Sequence, residues 1–374
     1  MTLEQCWHRV PGGTATAAIE TARALAARAP GGCLEDGPGA GIDLVGVSGW
    51  HRHQSAEAFR SPIPVRALPW PRLVLYEGWH RWRRPDVQAA TGPVDVIHAT
   101  AVAIPPRTRP IVLSLHDLAY LHEPAHFTPR GLRFFRRGLA LARAEADLVL
   151  CPSRATMADC VQAGFDTARL RLVPLGVRIE PASVEAVRRV RRAYGLDRYV
   201  LSVGTMEPRK NLPLLLEAFR RQGRADLQLA VVGPRGWNES LTAHVDGIAA
   251  RVRLLGFVPA VDLAALYAGA EVFCFPSLRE GFGLPILEAM AQGTPVVTSA
   301  GTSTEELATG AGLVVDPRDP DAVAGAIAAV LDDPAMAQRL ARAGRERAAR
   351  YPWAATARLV AAAYREAAGD AGTT

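Results

Sequence analysis

The sequence contains almost no lysine. Among its 374 residues, 43 side chains are basic, and all of them are arginine except Lys210. We interpret the bias as that of a GC-rich coding sequence. Since every other basic position is arginine, a retained lysine indicates a position that needs a compact ammonium on a flexible side chain and not a planar guanidinium group. Lys210 is therefore a candidate functional residue, with chance retention as the alternative.

Long apolar runs and paired cysteines are missing as well. No stretch of about 18 apolar residues occurs, so the sequence predicts no membrane span. The N-terminus, MTLEQCWHRVPGG, lacks a basic segment followed by an apolar run, so we expect no secretory signal. The five cysteines form no C-x-x-C pair, which favours buried free thiols in a reducing cytoplasm over disulfides or zinc. They are Cys6, Cys33, Cys151, Cys160 and Cys274.

Positive charge is concentrated in the first half. Residues 1–176 hold 20 arginines and 15 acidic residues, within a total net charge of +6. This excess is compatible with an anionic acceptor or with peripheral contact at the inner face of a membrane, and a solvated basic surface is the alternative. The short arginine clusters, 81–84 and 133–137, match no nucleic-acid-binding module, so we expect no nucleic-acid partner.

The apolar pattern predicts an α/β fold with two domains. Short apolar runs alternate with longer helical segments, as in doubly wound parallel sheets, and the chain is too long for one core. The pattern breaks at residues 176–183, so we expect domains at 1–177 and 178–354, with a C-terminal helix at about 355–374. The predicted strands cover residues 43–47, 94–99, 111–115, 148–151, 170–175, 199–203, 227–232, 252–257, 272–275, 295–298 and 313–315.

One candidate site follows the predicted strand that ends at Val203. The sequence VGTMEPRKNL places Arg209 and Lys210 in the turn after this strand, just before a predicted helix. Open α/β sheets bind ligands at the carboxyl ends of their strands. Two adjacent cations at such an edge suit a diphosphate, although a solvated basic turn is the alternative.

A second candidate site is the glycine-rich turn in FPSLREGFGLPILEA, residues 275–289. Gly281 and Gly283 allow close approach of a ligand to the backbone, and the helix predicted to start at about Leu284 offers free N–H groups to a phosphate. Glu280 and Glu288 flank this anion site, where carboxylates are unfavourable unless they bind hydroxyl groups such as those of a sugar. The alternative is a helix-capping role for Glu280 and a surface position for Glu288.

Together these segments resemble retaining glycosyltransferases of the GT-B fold, specifically glycosyltransferase family 4. Glu280 and Glu288 match the E-x7-E signature of that family, and residues 204–211 resemble its basic loop. The resemblance implies two facing Rossmann-like domains with a central cleft, and a C-terminal helix that crosses back to the first domain. It implies an acceptor bound by the first domain, a nucleotide-diphospho-sugar bound by the second, and no metal or other cofactor.

The resemblance also implies roles for single residues. Glu280 would lie near the transferred sugar and Glu288 near the ribose, while Lys210 neutralises the diphosphate. Many members carry an arginine directly after the first glycine of the basic loop, where this chain has Thr205, so we expect Arg209 to supply that charge. The remaining donor contacts are expected from Gly12, Gly13, Gly281, Phe282, Gly283 and Leu284.

The first half contributes a glycine turn and a histidine. Gly12 and Gly13 precede a helix predicted at about 15–29 and resemble the family's N-terminal glycine-rich loop. His116 ends the predicted strand 111–115, where Asp117 is placed to orient it, and it resembles the family's cleft-facing histidine. His116, Glu280 and Lys210 are the catalytic candidates. His122 and His126 rank below His116, and their spacing fits no common zinc site; His98 is expected to be structural.

The sequence therefore predicts a retaining transferase for a hexose. The G-T-x-x-P-R-K-N variant resembles members that use GDP-mannose, with UDP-hexose as the next choice, and the acceptor is a sugar, a lipid-linked saccharide or a small molecule. No carboxylate pair suited to double displacement is evident, which favours front-face transfer. Two alternatives stay open: a glycoside phosphorylase, and a non-catalytic protein that binds nucleotide sugars. A dinucleotide oxidoreductase is disfavoured because no G-x-G-x-x-G follows a strand.

Overall fold

The chain folds into two compact units. A computed structural model describes residues 1–8, 10–27, 41–234 and 245–369. The first unit comprises Met1–Gly176 together with Trp353–Thr374, and the second is Val177–Pro352. Cys33, the predicted end of the first helix at residues 28–29 and the last residues of the predicted C-terminal helix, 370–374, lie outside the described residues.

The first unit is built on a parallel sheet of four strands in the order β3-β4-β5-β6, beside a parallel pair, β1-β2. The four strands coincide with predicted runs because their valine, isoleucine and leucine side chains are mostly buried, on both faces in β4 and β5. β2 was not predicted, since its sequence, Val-Arg-Ala, is largely exposed and has no apolar run. The strands are β1 (Gly46–Ser48), β2 (Val65–Ala67), β3 (Ile97–Ala99), β4 (Ile111–Ser114), β5 (Leu148–Cys151) and β6 (Leu170–Leu172).

The second unit contains six parallel strands in the order β12-β11-β10-β7-β8-β9, each of which overlaps a predicted run. The order reverses between β10 and β7, which are direct neighbours. Such a switch point leaves a crevice at the carboxyl ends of the two strands, where open α/β sheets bind ligands. The strands are β7 (Arg198–Val203), β8 (Leu227–Val232), β9 (Val252–Gly256), β10 (Val272–Phe275), β11 (Val296–Ser299) and β12 (Leu313–Val315).

Helices connect the strands of both units. Those of the first unit are α1 (Gly12–Ala26), α2 (Arg72–Glu77), α3 (Gln88–Thr91), α4 (Ala119–His122), α5 (Pro129–Glu145), α6 (Arg154–Gln162) and, from the C-terminus, α14 (Trp353–Ala368). Those of the second unit are α7 (Val184–Tyr194), α8 (Leu212–Arg221), α9 (Ala260–Gly269), α10 (Leu284–Gln292), α11 (Ser303–Ala308), α12 (Pro320–Asp332) and α13 (Pro334–Ala348). Within the described parts of the chain, no helix is long and apolar enough to cross a membrane.

The C-terminal helix completes the core of the first unit. Ala357, Val360 and Ala361 of α14 are buried against Leu25 of α1 and Val112 of β4. Burial of this apolar stripe explains why the chain returns to the first unit, because an amphipathic helix is stabilised mainly by the packing of its apolar face. The fold class predicted from the sequence, two Rossmann-like units, is confirmed.

Two glycines let the chain segments after β7 and β8 approach closely. Gly233 adopts φ +142°, and a Cβ atom there would lie 1.9 Å from the carbonyl oxygen of Gly204. Since Gly204 opens the basic loop, the backbone of that loop is packed directly on the end of β8. Only glycine is compatible with both the contact and the positive φ.

We predict that Gly233→Ala lowers the free energy of unfolding of the second unit by about 3 kcal/mol, because the added methyl group overpacks a backbone contact. The matched control is Gly223→Ala, at φ +62° with nothing within 4 Å of its Cβ position. Its expected cost is about 1 kcal/mol, from the left-handed backbone alone. Urea denaturation of both variants measures the difference, and equal losses would show that the contact with Gly204 is not tight.

Candidate active site

The two candidate segments of the second unit meet because β7 and β10 are paired. The basic loop leaves β7 at Gly204, and the glycine-rich loop leaves β10 after Phe275. The Leu278 N–H donates to the Arg209 carbonyl at 2.8 Å. The Asn211 side-chain amide donates to the Pro276 carbonyl at 3.1 Å. Residues that are far apart in sequence therefore form one hydrogen-bonded loop cluster at the switch point.

Lys210 is a buried cation in this cluster. Its Nζ donates to Glu280 Oε1 at 2.5 Å, and the side chains of the two residues are only 10% and 9% exposed. Nζ also lies 4.7 Å from the ring centroid of Phe275, so the ammonium is stabilised by the aromatic face as well. Gly204 makes room for the stem, since a Cβ there would lie 3.2 Å from Lys210 Cε. A flexible, unbranched side chain fits this space.

Arg209 occupies the other oxygen of Glu280. Its Nη1 lies 3.0 Å from Glu280 Oε2, while its Nε lies 2.6 Å from Glu207 Oε1. Glu207 is buried and was missed by the sequence analysis, although an acid two residues before a candidate arginine was a usable signal. Glu207 thus orients the guanidinium, and Glu280 is held by one cation on each oxygen.

These contacts determine the charge of the site. Burial on its own opposes ionisation of Glu280, but the charges of Arg209 and Lys210 outweigh it and lower the pKa of Glu280 to about 2. Burial and the nearby Arg209 charge lower the pKa of Lys210, and Glu280 limits that shift. Glu280 is therefore a permanent carboxylate at physiological pH, fixed beside two cations.

Glu288 lies in α10 and has a different environment. Tyr267 of α9, a buried residue, donates from its hydroxyl to Glu288 Oε2 at 2.8 Å. Burial raises the pKa of Glu288, and the hydrogen bond from Tyr267 limits the increase. The sequence did not single out Tyr267, because an aromatic residue in an apolar helix reads as a core residue.

The glycine turn between the two glutamates is rigidly held. Gly283, at φ +109°, precedes α10, whose first residue is Leu284 as predicted. Ser303 at the start of α11 shares its one hydroxyl proton between the Glu280 carbonyl, 2.8 Å from Oγ, and the Phe282 carbonyl, 3.1 Å from Oγ. Gly281 and Phe282 are both buried. Ser303 was also missed, since a serine in a helix start normally reads as a cap.

The candidates of the first unit lie at an open helix start and at a strand end. Gly12 and Gly13 begin α1, and a Cβ at either position would meet nothing within 4 Å. The His116 Nε2 lies 3.1 Å from the Thr100 carbonyl oxygen, and burial lowers the pKa of the ring. The Asp117 carboxylate accepts from the Ala119 N–H at 3.1 Å and so caps the turn that follows.

The other histidines make separate contacts. His98 is buried between the Tyr364 hydroxyl at 2.6 Å and Ser114 Oγ at 2.8 Å, an environment typical of a structural residue. His122 Nε2 lies 2.9 Å from Asp159 Oδ1. No group of three or more histidine, cysteine or acidic side chains comes together as a metal site in the portion of the chain that the structure describes.

Comparison with known proteins relates each half of the chain to glycosyltransferases. Residues 183–347 match the family model described as glycosyl transferases group 1, and residues 11–181 match that of glycosyltransferase family 4. O-antigen chain mannosyltransferase B of Escherichia coli is 33% identical over 269 residues, which are 69% of this chain and 71% of that protein. Phosphatidyl-myo-inositol mannosyltransferase of Mycobacterium leprae is 33% identical over 51% of this chain and 52% of its own length.

Solved structures show the same fold. Anabaena HepE, crystallised with UDP and glucose, superposes with a TM-score of 0.73 over 97% of both chains at 21% identity. WaaG, a glycosyltransferase involved in lipopolysaccharide biosynthesis, gives a TM-score of 0.71 over 95% of this chain and 96% of its own, at 17% identity. These likenesses show the fold, and the mannosyltransferase match with the two family models confirms the enzyme class: the chain belongs to the family 4-like glycosyltransferases of the GT-B fold.

Proposed function

We propose that this glycosyltransferase moves a hexose from a nucleotide-diphospho-sugar to a hydroxyl acceptor, with retention of anomeric configuration and without a metal. The observation that carries the proposal is the buried contact of Lys210 and Arg209 with Glu280 at the switch point of the second sheet. Fixed cations next to a helix start suit a diphosphate leaving group, and a permanent carboxylate suits the hydroxyl groups of a sugar.

In this proposal the second unit binds the donor. Lys210 and Arg209 neutralise the charge that develops on the departing phosphate, and the N–H groups at the start of α10 assist. Many family members carry an arginine at the position of Thr205. Glu207 holds Arg209 through its Nε, so that Arg209 supplies this positive charge instead. Glu288, with its hydroxyl partner Tyr267, binds the ribose. Two fixed cations provide the charge that a divalent metal would otherwise provide.

The same contacts support front-face transfer. Both oxygens of Glu280 are engaged by cations, which makes this carboxylate a poor nucleophile for a covalent intermediate. We propose that the leaving phosphate removes the proton of the acceptor hydroxyl. We also propose that His116 of the first unit, kept neutral by burial, contributes a hydrogen bond to the transferred sugar or to the acceptor, and that Gly12 and Gly13, the first residues of α1, contact the donor phosphate.

GDP-mannose is the donor that we propose. It is supported by the G-T-x-x-P-R-K-N loop and by similarity to proteins named as mannosyltransferases. UDP-glucose is the runner-up, since it occupies the HepE structure. The acceptor class is a sugar, a lipid-linked saccharide or a small molecule. We further propose a cytoplasmic site of action, because the four cysteines within the described residues are buried free thiols.

We predict that GDP gives the largest thermal stabilisation in a panel of GDP, UDP, ADP and TDP, because a ligand that binds the folded state stabilises it by mass action. GDP-mannose should be turned over in the presence of EDTA, with an α-linked product by NMR. Disaccharide cleavage that needs inorganic phosphate would identify a phosphorylase instead. Binding without turnover would identify a non-catalytic protein, and a trapped glycosyl-enzyme would exclude the front-face route.

We predict that Lys210→Ala lowers kcat by about 10²–10³-fold, the usual loss when a charge-stabilising group is removed from a transition state. Lys210→Arg should recover little of the lost activity, because the planar guanidinium group does not fit beside Phe275. Arg198→Ala is the matched control. Arg198 begins the same strand, β7, at the end opposite the site, and its Nη1 lies 2.5 Å from Asp226 Oδ2. Full activity of this variant is therefore expected. Equal activity of Lys210→Ala and the wild type would refute the proposed charge neutralisation.

We predict that Tyr267→Phe raises the KM for the donor several-fold with little change in kcat, since Glu288 loses its partner. Burial already raises the pKa of Glu288 above its unfolded value, so ionisation of Glu288 opposes folding as pH rises. Without the hydroxyl, the free energy of unfolding should fall by about 1–2 kcal/mol above the pKa of Glu288. The loss should shrink as pH falls and the carboxyl group is protonated.

The control for this variant is Tyr194→Phe, which removes a similar bond, from the Tyr194 hydroxyl of α7 to Asp262 at 2.9 Å, without touching Glu288. Urea denaturation at several pH values and donor kinetics are measured for both. An unchanged KM in Tyr267→Phe would remove Glu288 from the donor site.

A further inference from the structure

Four large apolar side chains of the first unit project into solvent. Leu73 and Val74 of α2 are 53% and 44% exposed, Trp82 is 60% exposed and Trp50 is 50% exposed. Single exposed apolar residues are common, but a contiguous group marks an interaction surface. Whether these four form one surface therefore decides their meaning.

Trp70 connects them. The Trp50 N–H donates to the Trp70 carbonyl at 3.0 Å, and the ring of Trp82 packs edge-on against that of Trp70, with centroids 6.3 Å apart. The Trp70 ring also lies on Gly78, where a Cβ would come within 2.4 Å of it. Leu73 and Val74 are in the first turns of the helix that follows Trp70. Trp82 thus contacts Trp70 directly, Trp50 is bonded to it through the backbone, and Leu73 and Val74 follow it on the next helix.

Helix α5 lies alongside this group and adds positive charge. His80 stacks on Phe134 with centroids 4.5 Å apart, which holds α5 against the helical segment 72–82. Glu77 lies between Arg81 at 3.8 Å and Arg137 at 3.5 Å. Residues 133, 136 and 137 lie within about one turn, so their side chains share the outer side of α5. Arg133, Arg136 and Arg137 are all exposed.

The charge of the combined surface is strongly positive. Segments 70–84 and 130–137 contain eight arginines and one acidic residue, Glu77. Arg83 turns inward to Glu145. Within the described parts of the chain, Arg133 and Arg136 form no ion pair. We call this region the Arg–Trp surface; it consists of Trp50, Trp70, Leu73, Val74, Arg81, Trp82, Arg133, Arg136 and Arg137.

We propose that the Arg–Trp surface docks the first unit on an anionic lipid bilayer. Tryptophan prefers the headgroup level of a membrane, leucine and valine enter the boundary of the acyl chains, and arginines attract anionic lipid phosphates. A second copy of the chain fits poorly, because pairing two such surfaces would oppose like charges. A nucleic acid would use the arginines and leave Leu73 and Val74 exposed.

The proposal goes beyond the transfer reaction, because it locates the charge excess of the first half at a specific surface. It also favours an acceptor that lies at or in the membrane. Docking is measured without sugar nucleotide, so failure of the proposed donor chemistry and failure of the docking proposal are separate results.

The test is co-sedimentation of the full chain with vesicles of phosphatidylcholine, with and without phosphatidylglycerol. We expect binding only to the vesicles that contain phosphatidylglycerol, weakened by salt. Arg133→Gln with Arg136→Gln should weaken partitioning by about 25-fold, since each arginine near an anionic surface contributes roughly fivefold. Trp82→Ala and Val74→Ser should each weaken it by at least about threefold.

Matched controls separate this surface from general charge and hydrophobicity. Arg188→Gln with Arg192→Gln removes two exposed arginines from α7 of the second unit, and Val161→Ser removes a valine of α6 that is 47% exposed. Both controls should bind vesicles like the wild type. Absence of binding to anionic vesicles, or equal losses in controls and test variants, would overturn the proposal. So would a concentration-dependent dimer that Trp82→Ala abolishes, since the occupant would then be a second copy.

Discussion

The candidate site depends on the buried contact between Glu280 and its two cations. A carboxylate removed from water is costly unless its charge is compensated, and here each oxygen has its own partner, Lys210 or Arg209. The surrounding residues serve this arrangement: Gly204 admits the lysine stem, Glu207 orients the arginine, and Ser303 holds the loop that carries Glu280. A substitution at any of these supporting residues would leave the charge of Glu280 or of its cations less well compensated. This explains why so many contacts converge on Glu280.

Such an arrangement is preorganised, and this is what the proposed transfer requires. Charge that develops on a leaving phosphate is best stabilised by groups that are already in place, because they need no reorganisation during the reaction. Lys210 and Arg209 are held by carboxylates, and the helix start at Leu284 follows a glycine turn with two side-chain hydrogen bonds to its backbone. The pKa of Glu280, lowered to about 2, keeps this pattern of charge constant over the physiological range.

The two units have different electrostatic designs. In the second unit the singled-out cations, Lys210 and Arg209, are mostly enclosed and are held by two acids, Glu207 and Glu280, whereas the arginines of the Arg–Trp surface are exposed and outnumber the acids there. Buried pairs give a fixed geometry for small ligands, while an exposed basic surface attracts an extended anionic partner through its summed field. The proposed donor site and the proposed docking surface therefore rest on different kinds of charge arrangement.

The sequence alone determined the fold class, most strands and the identity of the main candidates. Continuous apolar runs mark buried parallel strands locally, and Lys210, Glu280 and Glu288 stand out by composition and spacing. The exposed strand β2 carries no such run and was missed. Only the tertiary structure decided the partners: Lys210 and Glu280 are 70 residues apart, and they meet because β7 and β10 are neighbours at the switch point. The contacts of Glu207, Tyr267 and Trp70 emerged in the same way. Strand order and helix packing bring distant residues together, and no local pattern of residues encodes those pairings.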